Sequence, residues 1–338
     1  NFKAYEKYVN NIVKSNPDLI WRKGLGLNYG DWLNGNTLNA EGFPKTGAQA
    51  PSEVFSTIMF YNSAATLAKM AEVSGMKEKA EEYSALAARI KEAFNKTFVN
   101  ADGMIEGDAQ ACYALALHYR IFPENMEKNF EKRMIDKFIP YGGRMNTGFH
   151  STLCLMKELS ERGYADKAYQ LLETSEFPSW GYSIAQGATS IWERWDGYVK
   201  GRGFQGAGMN SFNHYAFGAV GEWMYENILG IHLDNSAAGF RHFILKPLPG
   251  GSLTWAKGSF DSFSGKIEAG WKKENGRFEY SFTIPPNTSA TIYIPSKETG
   301  KAVIEINPEN GEFENIGYQN GYQVFDVKSG RYTAFSEL

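Results

Sequence analysis

Residues 52–96 read SEVFSTIMFYNSAATLAKMAEVSGMKEKAEEYSALAARIKEAFNK. Both halves of this stretch carry apolar residues at spacings of three and four, the pattern of a helix with one buried face. These residues are Val54, Ile58, Tyr61, Ala65 and Ala68 in the first half, and Tyr83, Leu86, Ile90 and Phe94 in the second. Gly75 between the halves suits the end of a helix and a tight turn. The stretch therefore predicts two helices joined as a hairpin.

Comparable patterns predict further helices over most of the first two-thirds of the chain. They fall near residues 3–14, 108–119, 124–137, 150–162, 165–174 and 211–229. Helix pairs joined by short turns form either an open array of hairpins or, when the array closes on itself, an (α/α) barrel. The sequence pattern alone does not separate these two architectures.

The last third of the chain alternates apolar and polar residues, as strands with one buried face do. Residues 278–284 show this alternation, and the Asn275-Gly276 pair before them is a strong hairpin signal. A break rich in proline and glycine at residues 246–251 separates this part from the helices. We predict a helical domain over residues 1–238 and an antiparallel β-sandwich over residues 239–338.

Composition narrows the possible partners of this chain. Its 338 residues suffice for a sizeable core, and the net charge of −3 without a basic cluster argues against nucleic acid. No apolar stretch approaches the roughly 18 residues of a membrane helix. Cys112 and Cys154 are expected to be buried free thiols, and the histidine spacing suggests no metal. We expect no cofactor, no nucleic acid and no membrane partner, and the compartment stays open among cytoplasm, periplasm and exterior.

Residues 178–197, PSWGYSIAQGATSIWERWDG, hold three tryptophans and two carboxylates among glycines and a proline. Aromatic rings around a carboxylate desolvate its charged form and raise its pKa, which suits a general acid or base near neutral pH. Glu193 is the candidate for that role. The alternative is a structural ion pair between Glu193 and Arg194 or another cation.

Two other segments also carry candidate residues. In YGDWL at 29–33, Asp31 beside Trp32 is suited to accept hydrogen bonds from sugar hydroxyls, and the alternative is an aspartate that caps a helix. In MNSFNHYAFG at 209–218, His214 is expected in the first turn of the predicted helix 211–229. The alternative for this histidine is a packing role.

Taken together, these segments resemble glycoside hydrolase family 78, the bacterial α-L-rhamnosidases. The resemblance covers nearly the whole chain. The matching sequence motifs are YGDWL at 29–33, NTGF at 146–149, PSWGY at 178–182, GATSIWERWD at 187–196 and MNSFNHYAFG at 209–218.

The resemblance implies an (α/α)6 barrel and inverting hydrolysis of terminal, non-reducing α-L-rhamnose from rhamnosides or from plant or bacterial polysaccharides. In this family the general base corresponds to Glu193. The implied sugar-binding residues are Asp31 and His214, with Trp180, Trp192 and Trp195 as candidates for an aromatic wall. We add Arg194 to the binding site, as a residue that positions Glu193.

The sequence departs from the family pattern at the general acid. The family carries this acid in an Asp-Glu-Arg-x-Gly-Trp word, and no such word occurs in this sequence. We therefore expect the acid upstream and an incomplete (α/α)6 barrel followed by the β-sandwich. The isolated chain should be nearly inactive, because proton donation contributes about 10²–10⁴-fold in rate. Apolar faces without partners should favour self-association of the chain.

Two other functions fit the same features. Another helical-barrel glycosidase or a polysaccharide lyase would share the hairpins and the aromatic cleft. A lyase usually needs a basic cleft to bind its acidic sugar, and the net charge of −3 argues against such a cleft. A non-catalytic carbohydrate-binding protein would keep the pocket without the acid.

Overall fold

The computed structural model describes residues 1–24, 28–38, 49–297, 302–306 and 311–338. The chain divides into two compact units. The first contains Asn1–Arg162 and Thr174–Gly218, and the second contains Gly163–Glu173 and Ala219–Leu338.

The described part of the first unit consists of helices and one short hairpin of strands. The α-helices of both units are, in chain order, α1 (Phe2–Ser15), α2 (Ser52–Val73), α3 (Lys77–Phe98), α4 (Gln110–His118), α5 (Glu127–Asp136), α6 (Phe149–Glu161), α7 (Ala165–Glu173), α8 (Trp180–Ala185) and α9 (Val220–Trp223). Helices α7 and α9 lie in the second unit, where a π-helical turn, Met224–Ile228, follows α9. Strands β1 (Tyr198–Val199) and β2 (Gly203–Phe204) pair antiparallel in the first unit.

The predicted hairpin is confirmed, because α2 packs along α3. Gly75 adopts a left-handed conformation (φ +72°), and its N–H donates to the Glu72 carbonyl at 3.0 Å, which ends α2. The expected apolar face of α3 is buried. It joins α1 and α2 in one core, whose members include Phe60, Leu67, Tyr83, Leu86 and Ile90.

The second unit contains an eight-stranded sheet. Its strands are β3 (Ile231–Leu233), β4 (His242–Leu245), β5 (Trp255–Ser262), β6 (Gly265–Glu274), β7 (Arg277–Pro295), β8 (Val303–Ile306), β9 (Phe313–Gln319) and β10 (Tyr322–Glu337). The long strands β7 and β10 pair with each other along most of their length. The predicted turn between β6 and β7 is confirmed, with positive φ angles at Asn275 (52°) and Gly276 (76°).

Strands β7 and β10 each run through both halves of this sheet. The first part of β7 pairs with β6, which in turn pairs with β5, while its last part pairs with β4. The β7–β10 register shifts between Lys328 and Gly330, where the two halves meet. The β4–β7 pair is parallel and the other pairs among the described residues are antiparallel, so the predicted antiparallel fold holds for all of these pairings but one.

Helix α7 groups with the C-terminal residues because its side chains bind them. The Tyr169 hydroxyl donates to the Leu248 carbonyl at 2.6 Å, and the Glu173 carboxylate accepts from the Ser252 N–H at 2.9 Å. The boundary expected between residues 238 and 239 stays a prediction. Cys112 and Cys154 are buried free thiols, as predicted.

The helix predicted over residues 211–229 is wrong at its start. Residues 211–215 are not helical, and helical turns begin only at Ala216. His214 therefore lies before the first turn and not within it. The reason is a competing partner, because the His214 N–H donates to the Ile191 carbonyl at 2.9 Å instead of entering a helix.

Candidate active site

The two longest motifs of the sequence run side by side in the first unit. The Glu193 N–H donates to the Ser211 carbonyl at 2.8 Å, and the His214 N–H donates to the Ile191 carbonyl at 2.9 Å. This backbone pairing brings the segments that carry Glu193 and His214 together.

The Glu193 side chain is half-buried and held at one oxygen. Its Oε2 accepts a hydrogen bond from the Ser211 N–H at 2.8 Å. Its Oε1 makes no hydrogen bond to any described residue, and among these residues Glu193 makes no ion pair. The structural ion pair with Arg194 considered from the sequence is therefore wrong, and one carboxylate oxygen is left to accept a proton.

Arg194 instead binds the next carboxylate along the chain. Its Nε donates to Asp196 Oδ1 at 2.9 Å and its Nη2 to Asp196 Oδ2 at 3.2 Å, a bidentate pair. The same Nη2 donates to the Thr37 carbonyl at 2.9 Å, and Gln205 donates to Asp196 Oδ2 at 2.8 Å. Arg194 and Asp196 are 7% and 0% exposed. The buried Arg194 guanidinium is therefore engaged by Asp196 and by the Thr37 carbonyl, and its expected role of positioning Glu193 stays a prediction.

The three predicted wall tryptophans do come together. Trp180 meets Trp195 edge-on at 5.2 Å between ring centroids, and Trp195 lies 4.0 Å from the Phe217 ring. The Trp180 indole N–H donates to the Phe217 carbonyl at 3.1 Å, which fixes its orientation. With Trp192, these rings line a cavity of about 360 Å³. Glu193 follows the wall residue Trp192 in sequence, but its side chain is not part of the wall.

Trp180 begins a helix that the sequence pattern did not reveal. Residues 180–185 form α8, and the Ser179 hydroxyl caps it by accepting from the Tyr182 N–H at 2.9 Å. A helix of six residues is too short to show apolar periodicity, so only the capping serine before Trp180 could have indicated it.

His214 lies against an aromatic ring from another motif. The Phe149 ring lies 5.1 Å from the imidazole, between centroids. The imidazole Nδ1 accepts from the Ala216 N–H at 3.3 Å. In the neutral ring this contact leaves the proton on Nε2, as a donor for an outside acceptor.

Asp31 is buried at 2% exposure and caps helix α6. Its carboxylate accepts from the N–H groups of Gly148 (2.8 Å), His150 (3.1 Å) and Ser151 (3.0 Å), and from the Ser151 hydroxyl (2.5 Å). Burial raises the pKa of Asp31, and these hydrogen bonds act in the opposite direction. Of the two interpretations of Asp31 the geometry favours the helix cap, because the oxygens expected to bind sugar already bind the backbone.

The position of Asp31 also explains the glycine of the NTGF motif. The sequence alone did not reveal this close approach. A Cβ atom on Gly148 would lie 2.4 Å from the Trp32 carbonyl oxygen, so only glycine allows the two segments to approach. The Phe149 N–H donates to the same oxygen at 2.9 Å. Asp31 thus holds the start of α6, and α6 carries the Phe149 ring that packs on His214.

The described residues contain no group of three or more His, Cys, Asp or Glu side chains that could hold a metal ion. None of the described helices is both long and apolar enough to cross a bilayer.

The first unit combines packed helical hairpins, a cavity lined by indole rings and, next to Trp192 in sequence, a carboxylate whose Oε1 has no partner among the described residues. These features are typical of helical-hairpin glycoside hydrolases. The profile of the bacterial α-L-rhamnosidase six-hairpin glycosidase domain matches residues 1–228, and that of the bacterial α-L-rhamnosidase C-terminal domain matches residues 230–309. The chain belongs to this family of bacterial α-L-rhamnosidases, glycoside hydrolase family 78.

Individual relatives agree with the family. The chain is 37% identical over 89% of its length to an α-L-rhamnosidase of Streptomyces avermitilis, and 33% identical over 97% to one of Formosa agariphila. It spans 27% and 34% of the length of these two curated relatives.

Solved structures resemble the chain over its whole length. The Streptomyces avermitilis α-L-rhamnosidase, crystallised in complex with L-rhamnose, matches with a TM-score of 0.84 at 34% identity, over 99% of this chain and 30% of the other. The α-L-rhamnosidase from Dictyoglumus thermophilum matches with a TM-score of 0.82 at 30% identity, over 100% of this chain and 36% of the other. The predicted fold class, a helical-barrel portion followed by a β domain, is confirmed.

Proposed function

We propose that this chain carries the general base and part of the sugar pocket of an inverting α-L-rhamnosidase, which releases terminal α-L-rhamnose from rhamnosides or polysaccharides. The observation that carries the proposal is the Glu193 carboxylate, held at Oε2 by the Ser211 N–H and without a partner at Oε1 among the described residues. The L-rhamnose in the crystals of the Streptomyces avermitilis relative supports the same sugar here.

In this mechanism Glu193 Oε1 accepts the proton of a water molecule as the water oxygen bonds to the anomeric carbon. The glycosidic bond breaks on the opposite face of the sugar, and a carboxylic acid about 6.5–9.5 Å away protonates the leaving oxygen. The Ser211 N–H orients the base without neutralising it, because an N–H donor carries no full charge.

The other site residues bind or position. We assign contact with the sugar to His214, whose Nε2–H is available as a donor, and to the cavity lined by Trp180, Trp192 and Trp195. Asp31 acts indirectly, by holding the segment that supports His214. The Arg194–Asp196 pair holds the backbone that follows Glu193.

The family's general-acid motif does not occur in these 338 residues, so we assign proton donation to residues outside them. The pure chain should therefore turn over an aryl α-L-rhamnoside very slowly, about 10²–10⁴-fold below a protein that contains the acid. Release of the aryl group, followed by absorbance, measures this. Rapid turnover that Glu193→Gln abolishes would contradict the proposal, because the acid would then lie within this sequence.

A further inference from the structure

A groove with no role in the proposed reaction crosses the sheet half formed by β5, β6, β7 and β10. It encloses about 710 Å³. Its floor is flat because three small residues, Gly270, Ser281 and Thr333, lie opposite one another on neighbouring strands. The bulky residues of the same strands, such as Tyr280 and Phe282, are buried. The floor can therefore accept a flat, ring-shaped ligand over several strands.

One wall of the groove carries an exposed indole. Trp255, on β5, is 65% exposed, whereas Trp271 on the neighbouring strand is 3% exposed and donates to the Ile228 carbonyl. The face of an indole ring carries negative charge density that attracts the C–H groups of a pyranose ring. An exposed tryptophan in a groove that also carries hydroxyl groups is thus suited to stack on a sugar.

Two cations flank the floor without partners. Lys257 on β5 and Arg331 on β10 line the groove and make no ion pair or hydrogen bond to a described residue. Their backbones lie three strand spacings apart across the sheet and two residues apart along it, about 16 Å in all.

Two carboxylates, Glu268 and Glu279, and a third cation, Lys272, also line the groove, and Lys272 pairs with Glu274 at 2.9 Å. Glu268 accepts a hydrogen bond from Thr283 at 2.9 Å, and Glu279 lies opposite Lys272 in the strand register. The groove lining thus includes three cations and two carboxylates, a formal excess of one positive charge, although the whole chain carries −3.

We propose that this groove binds an acidic oligosaccharide. Trp255 stacks on one sugar ring, the hydroxyl groups of Ser281 and Thr333 bind sugar hydroxyls, and Lys257 and Arg331 bind carboxylates of separate uronate residues. The site is distinct from the rhamnose site and contributes attachment to a polymer rather than chemistry.

Calorimetric titration of the 338-residue chain with tetragalacturonate tests this proposal. The matched probe is the same oligomer with its carboxyl groups methyl-esterified, which keeps the rings and removes the charge. We expect the acid to bind at least tenfold more tightly than the ester at low salt, and this preference to shrink as salt rises. Neither probe carries rhamnose, so the result is independent of the proposed hydrolysis.

Variants locate the binding. Trp255→Ala should weaken tetragalacturonate binding about tenfold, which corresponds to about 1.4 kcal/mol. Lys257→Gln and Arg331→Gln should each weaken it about two- to fivefold at low salt. Phe263→Ala and Lys266→Gln, exposed residues of the same unit outside the groove, serve as controls and should leave it unchanged.

Three outcomes would overturn the proposal. These are no binding of either probe at millimolar concentration, equal binding of acid and ester, or binding that Trp255→Ala leaves intact. A dimer in sedimentation that Trp255→Ala dissolves, without oligosaccharide binding, would overturn it too and assign the groove to a second copy of the chain.

Discussion

α-L-Rhamnosyl fluoride is expected to be hydrolysed by the chain with inversion, and Glu193→Ala is expected to lower that rate about 10²–10⁴-fold. Fluoride leaves the anomeric carbon without a proton, so hydrolysis of this substrate needs no general acid and reports on the base alone. The water oxygen bonds to the anomeric carbon, the carbon–fluorine bond breaks, and Glu193 takes the water proton. A fluoride electrode follows the rate, and NMR of the first product reports its configuration.

Rescue by azide distinguishes a catalytic base from a residue that only shapes the site. Azide attacks without losing a proton, so it should restore turnover to Glu193→Ala and give β-L-rhamnosyl azide. Glu176→Gln removes an exposed carboxylate in the same unit and should leave the rate unchanged. Full hydrolysis of the fluoride by Glu193→Ala without azide would remove Glu193 from the role of base.

The second large effect is expected at the buried pair beside the base. Asp196→Ala should lower the free energy of unfolding by ~3–5 kcal/mol, because it leaves the Arg194 guanidinium buried without its carboxylate. Because Arg194 follows Glu193 directly, the variant should also slow hydrolysis of the fluoride. Urea denaturation followed by tryptophan fluorescence measures the stability change.

Two comparisons make this result specific. Asp136→Ala removes an exposed ion pair with Lys132 and should cost at most about 1 kcal/mol. Replacing Arg194 and Asp196 together by leucine should cost less than the sum of the two single changes, because no unpaired charge is left behind. A loss below about 1 kcal/mol for Asp196→Ala would show that the pair does not hold this loop.

Local patterns in the sequence predicted the parts of the fold that local chemistry decides. The α2–α3 hairpin follows from apolar spacing and Gly75, and the β6–β7 hairpin follows from Asn275-Gly276. In both cases residues close in sequence make the deciding contacts. The short helix α8 and the late helix start at Ala216 escaped prediction, because capping and backbone pairing override periodicity there.

The site was predicted less completely, because its deciding contacts join distant residues. Asp31 binds N–H groups about 120 positions away, and Arg194 binds a carbonyl 157 positions away. No spacing in the sequence reports such partners. The resemblance to the family identified segments whose backbones pair in the structure, but the buried states of Asp31 and Arg194 appear only in three dimensions.

The proposed mechanism requires rhamnose to bind next to the Glu193 carboxylate. A crystal structure of the chain soaked with L-rhamnose tests this directly. We expect the sugar against the indole rings of Trp180, Trp192 or Trp195, within reach of His214, with a water molecule between Glu193 Oε1 and the anomeric carbon. A sugar bound away from these rings, or a Glu193 carboxylate with no space for water between it and the anomeric carbon, would contradict the account.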